Sequence, residues 1–569
     1  MDGAYADDHA DPVADRPSAV ARARGPALEL VAPALIVAAR PAGRLAGLLI
    51  AVALVVALVA AAAWSSGSSL PAAAPSHTTG ASILGGEPIT LDPAAQGDTG
   101  SAAVVAQLFE SLTSFDPGLT VRPALAQSWD VLDGGQRIVF HLRPGLEFSD
   151  GSPLTAGDVV RSWLRVIDPA HPSPLASLLT DVAGVSDYLA GRSHDPGSVG
   201  LTAQGSDVVV QLRQPAADFP QIIASPTFAV VPPGVGTSAD ALTPGPGFVA
   251  SGGYRATART ATTITLVAND HYWAGTPAIS PIKLVTDIGG QSPVQQFQDG
   301  ALDYTAISDF DASWIQYDSG LGPSLRSVPS LGVTYYGFTV TTPPFNDVHV
   351  RRAFAMAVNW HRIVNLAGPA SQVPATSMVP PGIEGHPMID DSPPYDPAAA
   401  KAELAAAGYP GGRGFPSVTL VTEGGGYDDA VVAELKSVLG VTVHTEFMNF
   451  QGYFQRLATD PPAFWSMAWS ADYPGANDFL GILLGTGEAN NFGHWSDPAF
   501  DAAIQAARSA TNETDVIAAF DQAQAIVRDQ APVVPTSYGT GWALARPGLL
   551  GAVDNGLGIV RFAGLSWAK

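Results

Sequence analysis

A chain of 569 residues with 46% hydrophobic content is long enough for several domains with sizeable cores, and too apolar for a disordered polymer. Its net charge of −24 argues against a nucleic-acid partner, because phosphate binding needs Lys and Arg. The absence of cysteine excludes disulfides, thiolate metal sites, a Cys nucleophile and a lipid-bearing N-terminal Cys.

Residues 1–44 are rich in Ala, Pro, Asp and Arg without a sustained apolar period, and read as a disordered cytoplasmic tail. Residues 45–64 contain the uncharged run Leu45–Ala63, which has the length of a bilayer-spanning helix. Arg40 and Arg44 precede it, and no Lys or Arg follows until Arg122. The positive-inside rule therefore leaves the tail inside and everything downstream outside. A cleaved signal sequence and a buried core helix are the competing readings of this run. Residues 65–79 form a Ser/Ala/Pro/Gly linker.

From about Gly80 short β-rich runs alternate with Ala-rich amphipathic stretches. Residues 81–84 read as a strand, 102–109 as a helix, and 137–143 as a strand entered through the turn Asp133–Gly135. Thr155 caps a helix that runs to Arg165, and 207–213 and 262–267 are further strands. Beyond residue 330 the helices lengthen. Residues 348–364 form one; another follows Asp396 as N-cap with Pro397 at its first position and Gly408 beyond its end. Strand 418–422, helix 428–439 and strand 441–447 follow one another, and 497–528 is mostly helical. This alternation implies an α/β fold with a parallel-rich sheet covered by helices.

The apolar run 463–468 reads as a buried strand, and Pro474–Gly475 breaks the chain soon after. Asp472 thus sits where a strand leaves the core, flanked by Trp469 and Tyr473. Such a carboxylate either caps a turn, as loop aspartates commonly do, or meets a cation, since an unpaired desolvated acid is costly.

Catalytic signatures are missing: there is no Gly-x-Ser-x-Gly elbow, no His-Glu-x-x-His and no Walker loop. Gly424–Gly426 lies between a strand and a helix but lacks dinucleotide spacing, and reads as a turn. His271, His361 and His494 have no partners at metal-ligand spacing. The expectation is a protein without enzymatic activity, cofactor or metal.

Segments 121–130, 140–159, 173–179, 344–359, 405–409 and 490–501, in that order, resemble the family 5 extracytoplasmic solute-binding proteins of ABC transporters, of the oligopeptide- and dipeptide-binding type. The resemblance covers about residues 80–569 and implies a periplasmic-binding-protein-like α/β fold, with two lobes, a hinge and an extra domain. By family pattern, lobe I comprises 80–109, 247–334 and 540–569, the extra domain 110–246, and lobe II 335–539. It also implies a monomeric receptor that hands oligopeptides to a membrane permease. The receptor would be anchored at the extracytoplasmic face or released by signal cleavage. The family's Trp-x-x-Asp motif falls on Trp469 and Asp472, which implies that Asp472 holds the peptide α-ammonium. Tyr335 and Tyr336 match cleft-lining aromatics, Phe450 matches a position that often carries Trp, and Tyr473 joins the ligand-binding set beside Asp472. Some features depart from the pattern. The acid expected after Leu91–Pro93 is displaced to Asp98, an expected aromatic is Leu175, and Ser466 stands where some members carry Arg. A carboxylate-binding residue is therefore not assigned. A non-peptide solute (a metal chelate, an oligosaccharide or a cationic small molecule) and a transporter-independent sensor are the alternatives.

Overall fold

The computed structural model describes residues 79–236, 242–367, 372–388, 390–424, 427–510 and 512–569, apart from the side chains of Val328, Pro329, Phe450 and Gln451. The tail, the apolar run 45–64, most of the linker, and Gly425 and Gly426 lie outside the described residues. Among the described residues no helix is long and apolar enough to cross a membrane.

Two long strands organise the chain. They are β10 (Leu325–Phe338) and β14 (Val533–Ala545), paired antiparallel over most of their length. On one side of this pair lie β11 (Val418–Thr422), β12 (Val443–Phe447) and β13 (Phe464–Ser470). On the other lie β1 (Ala81–Leu84), β6 (Tyr254–Arg259), β7 (Thr263–Ala268), β8 (Ile282–Val285) and β9 (Tyr304–Ile307). The order across the sheet is β12-β11-β13-β10-β14-β9-β1-β8-β7-β6, and a short strand Gln372–Pro374 pairs with β14 as well. Pairs β11–β12, β11–β13, β1–β8 and β1–β9 are parallel, as strand–helix–strand units require.

Each half has its own core. In the N-terminal half Ile83, Tyr254, Ile264, Leu266 and Ile282 pack with Val105 and Leu108 of α1 (Thr99–Leu108) and with Phe562 from the C-terminus. Arg561 makes a two-pronged pair with the buried Glu110 (2.6 and 2.8 Å), so the last residues hold the first helix. In the other half both sheet faces are covered. Phe354 of α4 (Val348–Ala357), Leu404 of α5 (Pro397–Ala406) and Leu435 of α6 (Asp428–Leu439) cover one face. Phe500 and Ile504 of α8 (Pro498–Ser509) and Phe520 of α9 (Glu513–Gln530) cover the other, with Tyr453 and Leu457 of α7 (Phe450–Thr459).

A separate antiparallel sheet has the order β2 (Ala126–Leu132), β3 (Arg137–Leu142), β5 (Asp207–Gln211), β4 (Leu201–Gln204). Its inward Ile138, Phe140, Val208 and Val210 pack on Val159, Trp163 and Val166 of α2 (Ala156–Val166). Thr155 stands at the N-terminus of α2 as expected, and its amide and hydroxyl donate to Asp158 Oδ2 at 3.0 and 2.7 Å.

Local signals held where a cap or turn fixed them. Asp396 accepts the amides of Ala398 and Ala399 (3.0 and 2.9 Å), and Gly408 has φ +93° just past α5. The single helix expected over 348–364 is instead two. Val358 is extended (φ −109°, ψ 129°), and Asn359 restarts a helix at Trp360 by accepting the Arg362 amide at 3.0 Å. The Asn359 amide is itself held by Glu434 at 2.6 Å.

Candidate functional site

β13 runs antiparallel to β10, with Trp469 opposite Val333 and Ser470 opposite Gly332. The ladder ends with the Ala471 amide donating to the Leu331 carbonyl at 2.8 Å. At this point β10 shifts register against β14, between Pro329 and Val333. The Leu331 amide donates to Gly556 of the C-terminal segment at 3.1 Å. The end of β13 therefore lies where the two halves of the sheet meet.

The chain then folds back on itself. A β-carbon on Gly475 would lie 2.4 Å from the Tyr473 ring, so only glycine lets the backbone pass there. The short helix Ala476–Phe479 returns Asp478 to the base of the loop. Asp478 is fully buried. Its Oδ2 accepts the Trp469 indole N–H at 3.0 Å and the Asp472 amide at 3.1 Å. Its Oδ1 has no hydrogen-bond partner among the described residues.

Asp472 is half-buried, and among the described residues no Lys, Arg or His pairs with it. Burial pushes its pKa up to about 6. Burial and then the Asp472 charge raise Asp478 well above the usual carboxylate range, against the opposing pull of its two N–H donors. Two neighbouring carboxyls of this kind do not both ionise readily at neutral pH.

Tyr473 points the other way. Its buried ring joins the core of the separate β2–β5 sheet, and its hydroxyl donates to Asp218 Oδ2 at 2.8 Å. Arg508, at the end of α8, reaches Asp218 Oδ1 at 3.0 Å and Asp181 Oδ2 at 2.5 Å. Burial opposes the Arg508 charge, but Asp218 and Asp181 outweigh it and hold its pKa well above the ordinary value. A cavity of about 210 Å³ lies behind the loop, among Asp218, Glu384, Asn477, Arg508 and Phe520; Asp472 does not line it.

The structure brings Trp469 and Asp472 together through Asp478, and fixes Tyr473 as a tether beside them. Tyr335 and Tyr336, expected along a cleft, are core residues instead, each 1% exposed. Tyr335 packs edge-on against Trp465, while the Tyr336 hydroxyl donates to Asp428 at 2.6 Å on the opposite face. Successive strand residues face opposite sides, and helices cover both sides of this sheet. Phe450 opens α7, and its side chain lies outside the described residues. Ser466 is buried and donates to Thr422 Oγ1 at 3.0 Å. Asp98 caps α1 through the Ser101 amide at 2.8 Å. His271 pairs with Glu147 at 2.6 Å and His361 with Asp390 at 3.5 Å. Among the described residues no group of three His, Cys, Asp or Glu side chains could hold a metal.

Asp478 was not singled out from the sequence, although one signal was there: it is the only acid in the otherwise uncharged run 473–484. Asp218 and Arg508 carry no such signal, because a basic residue in a last helical turn is commonplace.

The family model described as bacterial extracellular solute-binding proteins, family 5, middle, matches residues 120–491. The chain belongs to this family. A probable deoxycholate-binding periplasmic protein of Escherichia coli K12 is 30% identical over 466 residues, covering 79% of this chain and 86% of its own length. The oligopeptide-binding protein of Bacillus subtilis 168 is 25% identical over 500 residues, covering 84% and 90%. Among solved structures, the murein tripeptide-binding protein of Escherichia coli superposes with a TM-score of 0.71 at 25% identity, over 86% of this chain and 99% of that one. The family 5 fold is thus periplasmic-binding-protein-like α/β, with β10 and β14 running between its halves.

Proposed function

We propose that this family 5 protein is an extracytoplasmic receptor of an ABC importer, and that it binds oligopeptides with Asp472 holding the peptide amine. The observation that carries this reading is the Asp472 carboxylate itself. It is desolvated at the junction of the two halves and lacks a cation among the described residues. A ligand ammonium would relieve that cost through a charge-assisted bond. In this reading 80–109, 247–334 and 540–569 form one lobe, 335–539 the other, and 110–246 the extra domain. A hinge at the β10 irregularity closes the lobes over the peptide. The peptide backbone adds as a strand, and a membrane permease receives the cargo. The apolar run 45–64 keeps the monomeric receptor at the membrane surface, or is removed as a signal.

A second reading has one specific support, the 30% identity to a protein named as deoxycholate-binding. Ser466 also offers no cation for a peptide carboxylate. Calorimetric titration separates the two. Short free-amine peptides should bind, and their N-acetylated forms and Asp472→Ala should lose roughly 2–5 kcal/mol. Affinity that ignores acetylation removes Asp472 as the amine anchor, and tight binding of deoxycholate alone moves the assignment to a non-peptide solute.

A further inference from the structure

The amine reading uses one carboxylate, yet the loop buries two. We propose that Asp478 is a positioning residue for the anchor. It stands protonated, accepts the Trp469 and Asp472 N–H groups on Oδ2, and turns an Oδ1–H toward the Asp472 carboxylate. The proposal rests on the reading of Asp472 as the amine anchor.

The geometry carries it. Both N–H donors converge on one oxygen, at 3.0 and 3.1 Å, and leave Oδ1 buried without a partner among the described residues. An ionised carboxylate placed so would hold an unsatisfied oxygen in the interior beside a second negative charge. A carboxylic acid removes the second charge and makes Oδ1 a donor, for which Asp472, whose amide already sits on Oδ2 at 3.1 Å and whose charge acts on Asp478, is the acceptor with lone pairs to spare. The other charged or titratable groups facing Asp478 give it no cation. Asp472 and Tyr473 lie on its own loop, and Asp218 faces it from the β2–β5 core. Arg508, whose charge acts on Tyr473, is already engaged by Asp181 and Asp218. Burial and the Asp472 charge raise Asp478 in the same direction.

Two consequences follow for the ligand. The pair carries one negative charge near neutral pH, so it matches a single ammonium and gives a doubly charged head group no extra attraction. The anchor is also held from below by its amide and from the side by the Asp478 O–H, so an incoming amine meets an oriented acceptor.

The test needs no ligand. Trp469 donates to Asp478, so its emission reports on the pair; subtracting the spectrum of each protein's Trp469→Phe counterpart isolates it from the other tryptophans. Wild type should show one step near pH 6, where burial places Asp472, and Asp472→Asn should abolish it. Asp478→Asn keeps a donor toward Asp472 and should leave the step in place, whereas Asp478→Ala should raise it by about one unit. Downward shifts in both Asp478 variants would mean that Asp478 is ionised, and would overturn the proposal. So would a missing step, or one that survives Asp472→Asn. Thermal shifts with trialanine and N-acetyl-trialanine check the amine reading separately, so a failure there is distinguishable from a failure of the Asp478 assignment.

Discussion

At the residue scale, Asp472 is a group that folding alone does not favour. Its pKa in the fold, about 6, exceeds its ordinary 3.8, so the protonated form is the one the folded state prefers. The contribution is therefore fully present below the unfolded pKa and is lost as pH rises through about 6. Asp472→Asn should then stabilise the ligand-free protein at pH 7.5 by about 1–3 kcal/mol and change little near pH 4, as read from urea midpoints. The same substitution should weaken peptide binding, and this opposition is the signature of a binding residue, as distinct from a structural one. With Asp472 as the proposed amine anchor, wild-type affinity for a free-amine peptide should fall about tenfold per pH unit once pH drops below about 6, because its carboxyl must ionise to hold the ammonium. A flat pH profile between about 4 and 7 would remove Asp472 from the site.

At the scale of elements, what the sequence makes legible is local chemistry, and what it hides is covering. Asp396 with Pro397 and Gly408 announces α5, because those residue types satisfy the free amides and the left-handed end without outside help. Asp396→Ala should therefore cost about 0.5–2 kcal/mol in a denaturant titration, with little effect on ligand binding. The break at Val358 is less visible, since its restart is held by Glu434 from α6, some 75 positions away. Tyr335 and Tyr336 teach the same lesson. The strand is plain in the sequence, but the burial of both its faces comes from α4, α8 and α9 packing from either side. The Trp469–Asp472 spacing is readable because it is local, running from the end of β13 into the loop that follows. The role of Asp478 was not, because it depends on a fold-back that puts the sixth residue after Asp472 beneath it.

At the scale of the molecule, the parts are stitched by residues far apart in sequence. Glu110 meets Arg561 across 451 positions, and β10 and β14 pass through both halves of the sheet. Neither half owns its strands, so circular dichroism and tryptophan emission should report coincident unfolding of the two. Arg508 makes the link that bears most on the site. It pairs with Asp181 and Asp218, and Asp218 also receives the hydroxyl of Tyr473, the residue next to Asp472. Arg508→Ala leaves Asp218 without its cation and Asp181 with only the more distant Arg213 at 3.8 Å, and should cost about 3–5 kcal/mol, chiefly as that penalty. If so, adding Asp181→Asn and Asp218→Asn to Arg508→Met should recover most of the loss, because neutral groups no longer need the pairing. The loss should also persist at high salt, since a buried cluster is screened far less than a surface pair. Peptide affinity should fall in Arg508→Ala and return in the triple variant, because Asp472 is presented by a loop that Tyr473 ties to this cluster. A triple variant that is stable yet fails to bind would show that the charge itself is needed to present the anchor.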